Sequence, residues 1–297
     1  MQSYLNIVKN ILQNGVEKSD RTGTGVKSVA GVMFEHDMST GFPLLTTKKM
    51  PFKVMSAELE FFIKGLTDKQ WLKDRNCHIW DEWCSPDKVP YAHDEETKKK
   101  MAEERDLGPI YGFQWRHFNA DYQNYNTDYS GQGVDQLKKL INTIKNNPTD
   151  RRMLVMAWNP AMLEHMALPP CHYNFQVTIT GDKLNLMWNQ RSVDVALGLP
   201  FNISSYALLL HLLAKETGYK EGRLIGFLGD THIYSNHIEG IKEQLMRDPN
   251  KYKLPTVETL PQKSGQAQNF SIFDWEYTDS EIVGYESYDR IKFPIAV

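Results

Sequence analysis

The spacing of apolar positions changes character along the chain, and those changes predict its elements. Over residues 1–20 (MQSYLNIVKNILQNGVEKSD), Leu5, Val8, Ile11 and Leu12 recur at helical intervals, so an amphipathic helix is expected there. Residues 28–35 (SVAGVMFE) have strand-like composition. From residue 46 to 62 the apolar spacing lengthens through Val54, Leu59, Phe61 and Phe62, which predicts a helix. A further helix at 135–146 (DQLKKLINTIKN) stops at Asn147-Pro148, because the residue before a proline is pushed out of helical geometry. Residues 153–158 and 174–180 read as strands, another strand at 183–188 follows the Gly181-Asp182 turn, and 203–217 is an apolar helix long enough to cross the core.

No internal repeat, low-complexity linker or Pro/Gly-rich hinge divides the sequence. The expected fold class is therefore α+β: a single domain over residues 1–297, with helices packed on a mixed, largely antiparallel sheet. Within it, residues 85–106 (SPDKVPYAHDEETKKKMAEERD) read as a polar insertion whose run Lys98-Lys99-Lys100 is a solvated helix face.

Composition narrows the function classes. With 297 residues, 41% hydrophobic and 24% charged, the chain can bury a substantial core. A formal net charge of -3 supplies no general basic field, so no obligate nucleic-acid partner is expected, while local anion sites stay open. The cysteines, Cys77, Cys84 and Cys171, are odd in number and lack paired spacing, which disfavours a disulfide framework and fits a reducing compartment. No run approaches the ~20 apolar residues of a membrane span. The first residues also lack the apolar centre of a signal peptide, so a cytoplasmic protein with no membrane partner is expected.

Cys171 lies in Leu168-Pro169-Pro170-Cys171-His172. A cysteine after two prolines is ordinarily a small buried residue, and a nucleophilic role requires something that stabilises thiolate. Arg191 in Asn189-Gln190-Arg191-Ser192, the tandem Arg151-Arg152, and Arg21 in Asp20-Arg21-Thr22-Gly23-Thr24-Gly25 are candidates. Guanidinium groups lower a thiol pKa and bind phosphate through paired donors, and surface ion pairing is the alternative for each of them. Residues 190–203 (QRSVDVALGLPFNI) mix polar groups into an apolar segment, which fits either a site lining or a tight turn with Asp194 and Asn202 as local caps.

In their order along the chain these segments resemble the thymidylate synthase family. The resemblance rests on Asp20–Gly25, Pro169-Pro170-Cys171-His172, and Gln190-Arg191-Ser192-x-Asp194 continuing into Leu197-Gly198-Leu199-Pro200-Phe201-Asn202. Ile79-Trp80-Asp81-Glu82-Trp83, the run from Gly108 to Arg116 (GPIYGFQWR) and that from Gly229 to His237 (GDTHIYSNH) extend it from the N-terminal helix to Val297. It implies methylation of dUMP to dTMP, with 5,10-methylenetetrahydrofolate as cosubstrate and no metal. By the same resemblance Cys171 attacks C6 of uracil, Glu58, Tyr111, His172 and Asp194 take part in catalysis, and Asn202 reads the uracil amide edge. Arg21, Arg151, Arg152, Gln190, Arg191 and Ser192 match substrate ligands, chiefly for phosphate, and His232 and Tyr234 match the residues that hold the deoxyribose hydroxyl. Lys48, Ile79, Trp80, Trp83, Asp194, Leu197, Gly198, Phe201 and Ala296 match the folate surface and the closing tail. The resemblance further implies a homodimer in which Arg151 and Arg152 cross the interface.

Two positions depart from the family pattern: Glu60, where an apolar residue is common, and Asn189, where a tyrosine often precedes Gln-Arg-Ser. Related pyrimidine hydroxymethylases resemble this chain at both places and finish by adding water in place of hydride, so a dUMP hydroxymethylase is the alternative. The retained Trp80 and aliphatic tail favour methyl formation in a closed, dry site. A catalytically silent nucleotide- or RNA-binding homologue is a third reading, opposed by the full set of Cys171, Glu58 and arginines.

Overall fold

Tyr4, Leu5, Ile7, Val8 and Ile11 are buried along one stripe, and that stripe defines α1 (Gln2–Asn14). The computed structural model describes residues 1–20, 23–260 and 270–295. The helix expected over 1–20 ends early: Gly15 turns extended, and β1 (Val16–Lys18) pairs with β2 (Val26–Asp37). Then come α2 (Phe52–Ile63), α3 (Lys69–Lys73), α4 (Glu95–Glu103), α5 (Tyr111–His117), α6 (Gln136–Asn146), β3 (Leu154–Met156) and β4 (His172–Thr180). They are followed by β5 (Lys183–Asp194), α7 (Gly198–Thr217), β6 (Lys220–Tyr234), α8 (Ile238–Met246), β7 (Thr256–Thr259) and β8 (Ser280–Val283).

The differences from the sequence expectations have local causes. Residues 46–51 are not helical, because Pro51 biases Met50 away from helical geometry and α2 starts only after it. Strand β5 runs on past residue 188 to Asp194, so Gln190, Arg191 and Ser192 sit on a strand. Helix α7 starts at Gly198, with Pro200 tolerated in its first turn, where an amide hydrogen has no helical partner to lose.

The larger sheet has the order β1-β2-β6-β5-β4-β3, and β7 and β8 form a separate antiparallel pair. Strands β5 and β6 run parallel, while β1/β2, β2/β6 and β3/β4 are antiparallel, which makes the sheet mixed and largely antiparallel. The chain divides into two compact units: Met1–Phe52, Ile179–Leu260 and Ser280–Val297 in the first, and Lys53–Thr178 and Pro261–Asp279 in the second.

In the first unit α7 is buried almost all round, with Leu208, Leu209, Leu210, Leu212 and Leu213 fully enclosed, and it packs on β5 and β6. Trp188 on β5 stacks on Tyr206 of α7 at 5.3 Å and leans on Phe34 of β2 at 5.8 Å. Strand β6 admits this indole only because residue 226 is glycine: a Cβ there would lie 2.4 to 2.8 Å from three of its ring atoms.

In the second unit α5 and α6 pack on each other and on β3. Asp135 caps α6 by accepting from the Lys138 amide at 2.9 Å and also pairs with Arg116 of α5 at 2.9 Å. Residues 85–106 leave and return at one point, since the Ser85 N–H donates to Asp106 O at 2.7 Å. Asp94 caps α4, and Lys98 and Lys100 pair with Glu95 and Glu96 on its exposed face, as a solvated face requires. The segment is nonetheless docked. Met101 is buried, and the enclosed ammonium of Lys69 donates to Met101 O at 2.6 Å, Trp83 O at 2.8 Å and Asp81 O at 3.0 Å.

Filling the space over Trp188 should be costly. Gly226→Ala is expected to destabilise the protein by about 1–3 kcal/mol through overpacking, read from the urea unfolding midpoint. An unchanged midpoint would show that the indole has room to move.

Candidate active site

The sequence-predicted residues fall into two sets, one in each unit. In the second unit, α2 carries Glu58, half-buried, with Oε1 accepting from the Trp80 indole at 2.8 Å. Burial pushes the Glu58 carboxyl up to about 7, while the indole N–H pulls the other way by favouring the ionised form. Near neutral pH such a carboxyl exists in both forms, which suits a group that relays protons.

Aromatic packing fixes what surrounds it. Tyr111, at the start of α5, stacks on Phe62 at 5.0 Å and lies tilted against the His172 ring at 4.4 Å, and the Trp80 ring meets it edge-on at 6.0 Å. The Tyr111 hydroxyl accepts the Cys171 N–H at 2.7 Å, so the backbone that presents the thiol is tied to this stack. Burial pushes His172 down to about 3, which keeps its imidazole neutral at physiological pH. His172 therefore supplies no cation to hold a thiolate. Cys77 and Cys84 are buried and their thiols pushed up, Cys77 to about 12, so neither competes as a nucleophile.

Trp80 lies in a turn, not in a helix or strand. Its local backbone bonds include Asp81 N–H to His78 O at 3.3 Å and Trp83 N–H to Trp80 O at 3.1 Å, and the His78 ring bonds Asp81 Oδ2 at 2.9 Å. The Asp81 and Trp83 carbonyls are held by Lys69, whose ammonium burial pushes down to about 8 and which therefore keeps its three donors at neutral pH. Ile79 is exposed, and Trp83 stacks on Tyr91 at 5.8 Å. Arg151 and Arg152 are exposed; Arg152 pairs with Asp150 at 2.8 Å while its side chain stays 87% accessible.

In the first unit, β5 delivers Gln190, Arg191, Ser192 and Asp194, with Gln190 buried and Arg191 exposed. Asp194 Oδ1 accepts the Ala196 and Leu197 amides at 2.9 and 3.1 Å. It thus caps the turn into α7, as the structural alternative anticipated, and its second oxygen is left for another donor. Asn202 does not cap that turn; its Oδ1 accepts from Gln190 Nε2 at 3.0 Å. Leu197, Gly198 and Phe201 lie partly buried at the start of α7. His232, opposite Asp194 in the β5/β6 register, and Tyr234 end β6 with their rings 5.2 Å apart.

Lys48 is buried, with Nζ 2.5 Å from Ala196 O and 4.8 Å from the Phe293 ring centre, and burial pushes it down to about 8. Arg21 and Ala296 lie outside the described residues. His237 was not singled out by sequence reasoning. It is fully buried, hydrogen-bonds Pro294 O through Nε2 at 2.6 Å, packs on Tyr234 at 5.5 Å, and has Nδ1 3.8 Å from Asp194 Oδ1. The only sequence signal was its place at the end of the Gly229–His237 run. Among the described residues there is no cluster of three or more metal-ligating side chains, and no helix is long and apolar enough to cross a membrane.

A half-buried carboxyl poised near neutrality in one unit, and in the other a strand end rich in amide, guanidinium and hydroxyl groups, suit the proton transfers and polar recognition of a transferase. Comparison with known proteins is specific: residues 2–297 match the thymidylate synthase family, and the chain belongs to it. It is 46% identical to thymidylate synthase from Homo sapiens over 294 residues, covering 99% of this chain and 90% of that one. It is 44% identical over 299 residues to a bifunctional dihydrofolate reductase-thymidylate synthase from Paramecium tetraurelia, covering 99% of this chain and 61% of that protein's length.

The Glu58 ionisation is open to test. Trp80→Phe removes a donor that favours the carboxylate, so the acid limb of the kcat against pH profile should move up by roughly one unit. A limb that stays in place would mean that Trp80 does not govern Glu58, or that Glu58 does not govern turnover.

Proposed function

We propose that this chain methylates dUMP to dTMP with 5,10-methylenetetrahydrofolate, through a covalent adduct between Cys171 and C6 of the uracil ring. The observation that carries the reading is the Cys171 N–H bonded to Tyr111, inside an aromatic stack that also holds neutral His172, with Glu58 poised near 7 in the same unit. The Cys171 sulfur forms the C–S bond, the ring electrons move to make C5 nucleophilic, and the same bond breaks when product leaves. Since His172 is neutral, stabilisation of the thiolate falls to guanidinium, for which Arg21, Arg151, Arg152 and Arg191 are the candidates. Glu58 relays the protons that C5 and O4 exchange with solvent, with Tyr111 and His172 as its neighbours.

Arg21, Arg191 and Ser192, with Arg151 and Arg152, hold the phosphate; Gln190 serves the substrate side through Asn202; His232 and Tyr234 hold the deoxyribose hydroxyl; Asn202 pairs with the uracil edge. When bound, the folate supplies the one-carbon unit and then a hydride. The donor set fits it: Asp194 keeps one carboxylate oxygen for the pterin N–H groups beside the partly accessible Leu197, Gly198 and Phe201, while exposed Ile79 and partly exposed Trp83 offer apolar and aromatic surface and Trp80, itself buried, is assigned with them by the resemblance. Lys48 and Ala296 complete the proposed cofactor set.

Residues 1–297 act as one catalytic domain, with 85–106 as a polar insertion, and work as a homodimer. Supporting the dimer, Met33 and Phe227 face each other across β2 and β6 while 54% and 44% exposed, an apolar patch that a second copy would cover. Cysteines held as thiols, Cys77, Cys84 and Cys171, fit a reducing, cytoplasmic setting.

Mass spectrometry of the product from dUMP and methylenetetrahydrofolate is the direct test: dTMP is expected, and 5-hydroxymethyl-dUMP would establish the alternative. Cys171→Ser should keep dUMP binding and lose turnover by ~10³ or more; near-normal activity would remove the thiol from the mechanism. Mixing Arg151→Ala/Arg152→Ala chains with Cys171→Ala chains should restore activity in the heterodimer, because one site then combines intact arginines with an intact thiol. No recovery after verified subunit exchange would reject the shared phosphate site.

A further inference from the structure

We infer that Trp188 is a specificity-determining residue: its indole fixes the amide of Gln190, which in turn fixes the amide of Asn202 in the orientation that reads uracil. The inference rests on the proposed role of Asn202 as the base-edge contact. Trp188 and Gln190 are two residues apart on β5, so their side chains leave the same face of the strand, and both are buried. The Trp188 Nε1–H donates to Gln190 Oε1 at 3.1 Å, and Gln190 Nε2 donates to Ser192 O at 3.1 Å and to Asn202 Oδ1 at 3.0 Å.

The orientation follows from the character of the partners. An indole nitrogen only donates and a peptide carbonyl only accepts, so the end of Gln190 facing Trp188 must be oxygen and the end facing Ser192 must be nitrogen. Both Nε2 hydrogens are then used, one on Ser192 O and one on Asn202. Asn202 must therefore turn its oxygen to Gln190, which leaves its two Nδ2 hydrogens and a second Oδ1 lone pair for a ligand. Uracil offers a carbonyl at C4 and an N–H at position 3, which match that pair. Cytosine offers an amino group and a bare ring nitrogen, which set donor against donor and acceptor against acceptor.

The relay works only if the indole cannot rotate away. Tyr206 stacks on it at 5.3 Å, Phe34 leans on it at 5.8 Å, and the missing Cβ of Gly226 gives it its place against β6. Without the indole donor, a reversed Gln190 amide loses one of its two penalties, and Asn202 gains access to the orientation that accepts cytosine.

The test compares kcat/KM for dUMP and dCMP, together with equilibrium binding of both nucleotides. Trp188→Phe should lower discrimination against dCMP by roughly fivefold or more, in binding as well as turnover, because one buried hydrogen bond no longer enforces the relay. Gln190→Leu breaks the relay at its second member and should lower it in the same direction, which carries the test if Trp188→Phe does not fold. Asn202→Asp separates the two levels. If it leaves the preference unchanged, Asn202 is not the base contact; if it shifts the preference while Trp188→Phe and Gln190→Leu do not, the relay is overturned.

Discussion

An indole nitrogen can donate a hydrogen bond and cannot accept one, and in each unit of this protein that restriction settles the state of the polar group beside it. Trp80 donates to Glu58, so the carboxyl that burial drives toward its neutral form is drawn back toward the ionised one and comes to rest near 7. Trp188 donates to Gln190, so an amide with two nearly equivalent ends has one permitted orientation. One restriction thus tunes an ionisation and fixes a recognition surface. Neither result is available to a phenylalanine of similar shape, although it would fill nearly the same volume.

Irregular backbone near the site is held by buried cations. The turn around Trp80 has no helix or strand ladder, and Lys69 satisfies the Asp81 and Trp83 carbonyls together with that of Met101 in α4. At the turn into α7, Asp194 takes the Ala196 and Leu197 amides while Lys48 takes the Ala196 carbonyl. A buried ammonium with no partner would be strongly unfavourable, so each lysine holds its turn as firmly as the turn neutralises the lysine. These residues replace the hydrogen-bond ladders that a helix or strand would have provided.

The sequence reveals some of this and conceals the rest for physical reasons. Apolar periodicity located α1, α6 and α7, because those helices bury a face or a whole surface, and a cap such as Asp135 is visible as a residue type before a periodic run. Strand β5 was cut short in the sequence reading: past Trp188 its polar residues stop looking like a strand, yet the ladder with β6 continues to Asp194. Of the site, the motif residues were legible through resemblance, and partial burial of Glu58 agreed with its apolar neighbours. The roles of Lys69, His237 and Trp188 were hidden, since each depends on an atom contributed from elsewhere in the chain: the Met101 carbonyl, the Pro294 carbonyl, and the ring space beside Gly226.

Glu60 and Asn189 are the two polar positions that kept water addition in play, and the first has an explanation within its own unit. Glu60 is buried on α2, yet both of its oxygens are engaged: Oε1 accepts from Lys64 at 2.5 Å and Oε2 from the Tyr277 N–H at 2.8 Å. A carboxylate so satisfied anchors α2 and leaves no orphaned oxygen to organise a water. Asn189 sits next to Gln190 on β5, and strand geometry sends it to the opposite face, in register with Phe227. The polarity at residue 60 is thus consumed by packing and that at 189 is turned away from the relay. Membership of the thymidylate synthase family along the chain points the same way, and methyl transfer is the outcome both favour.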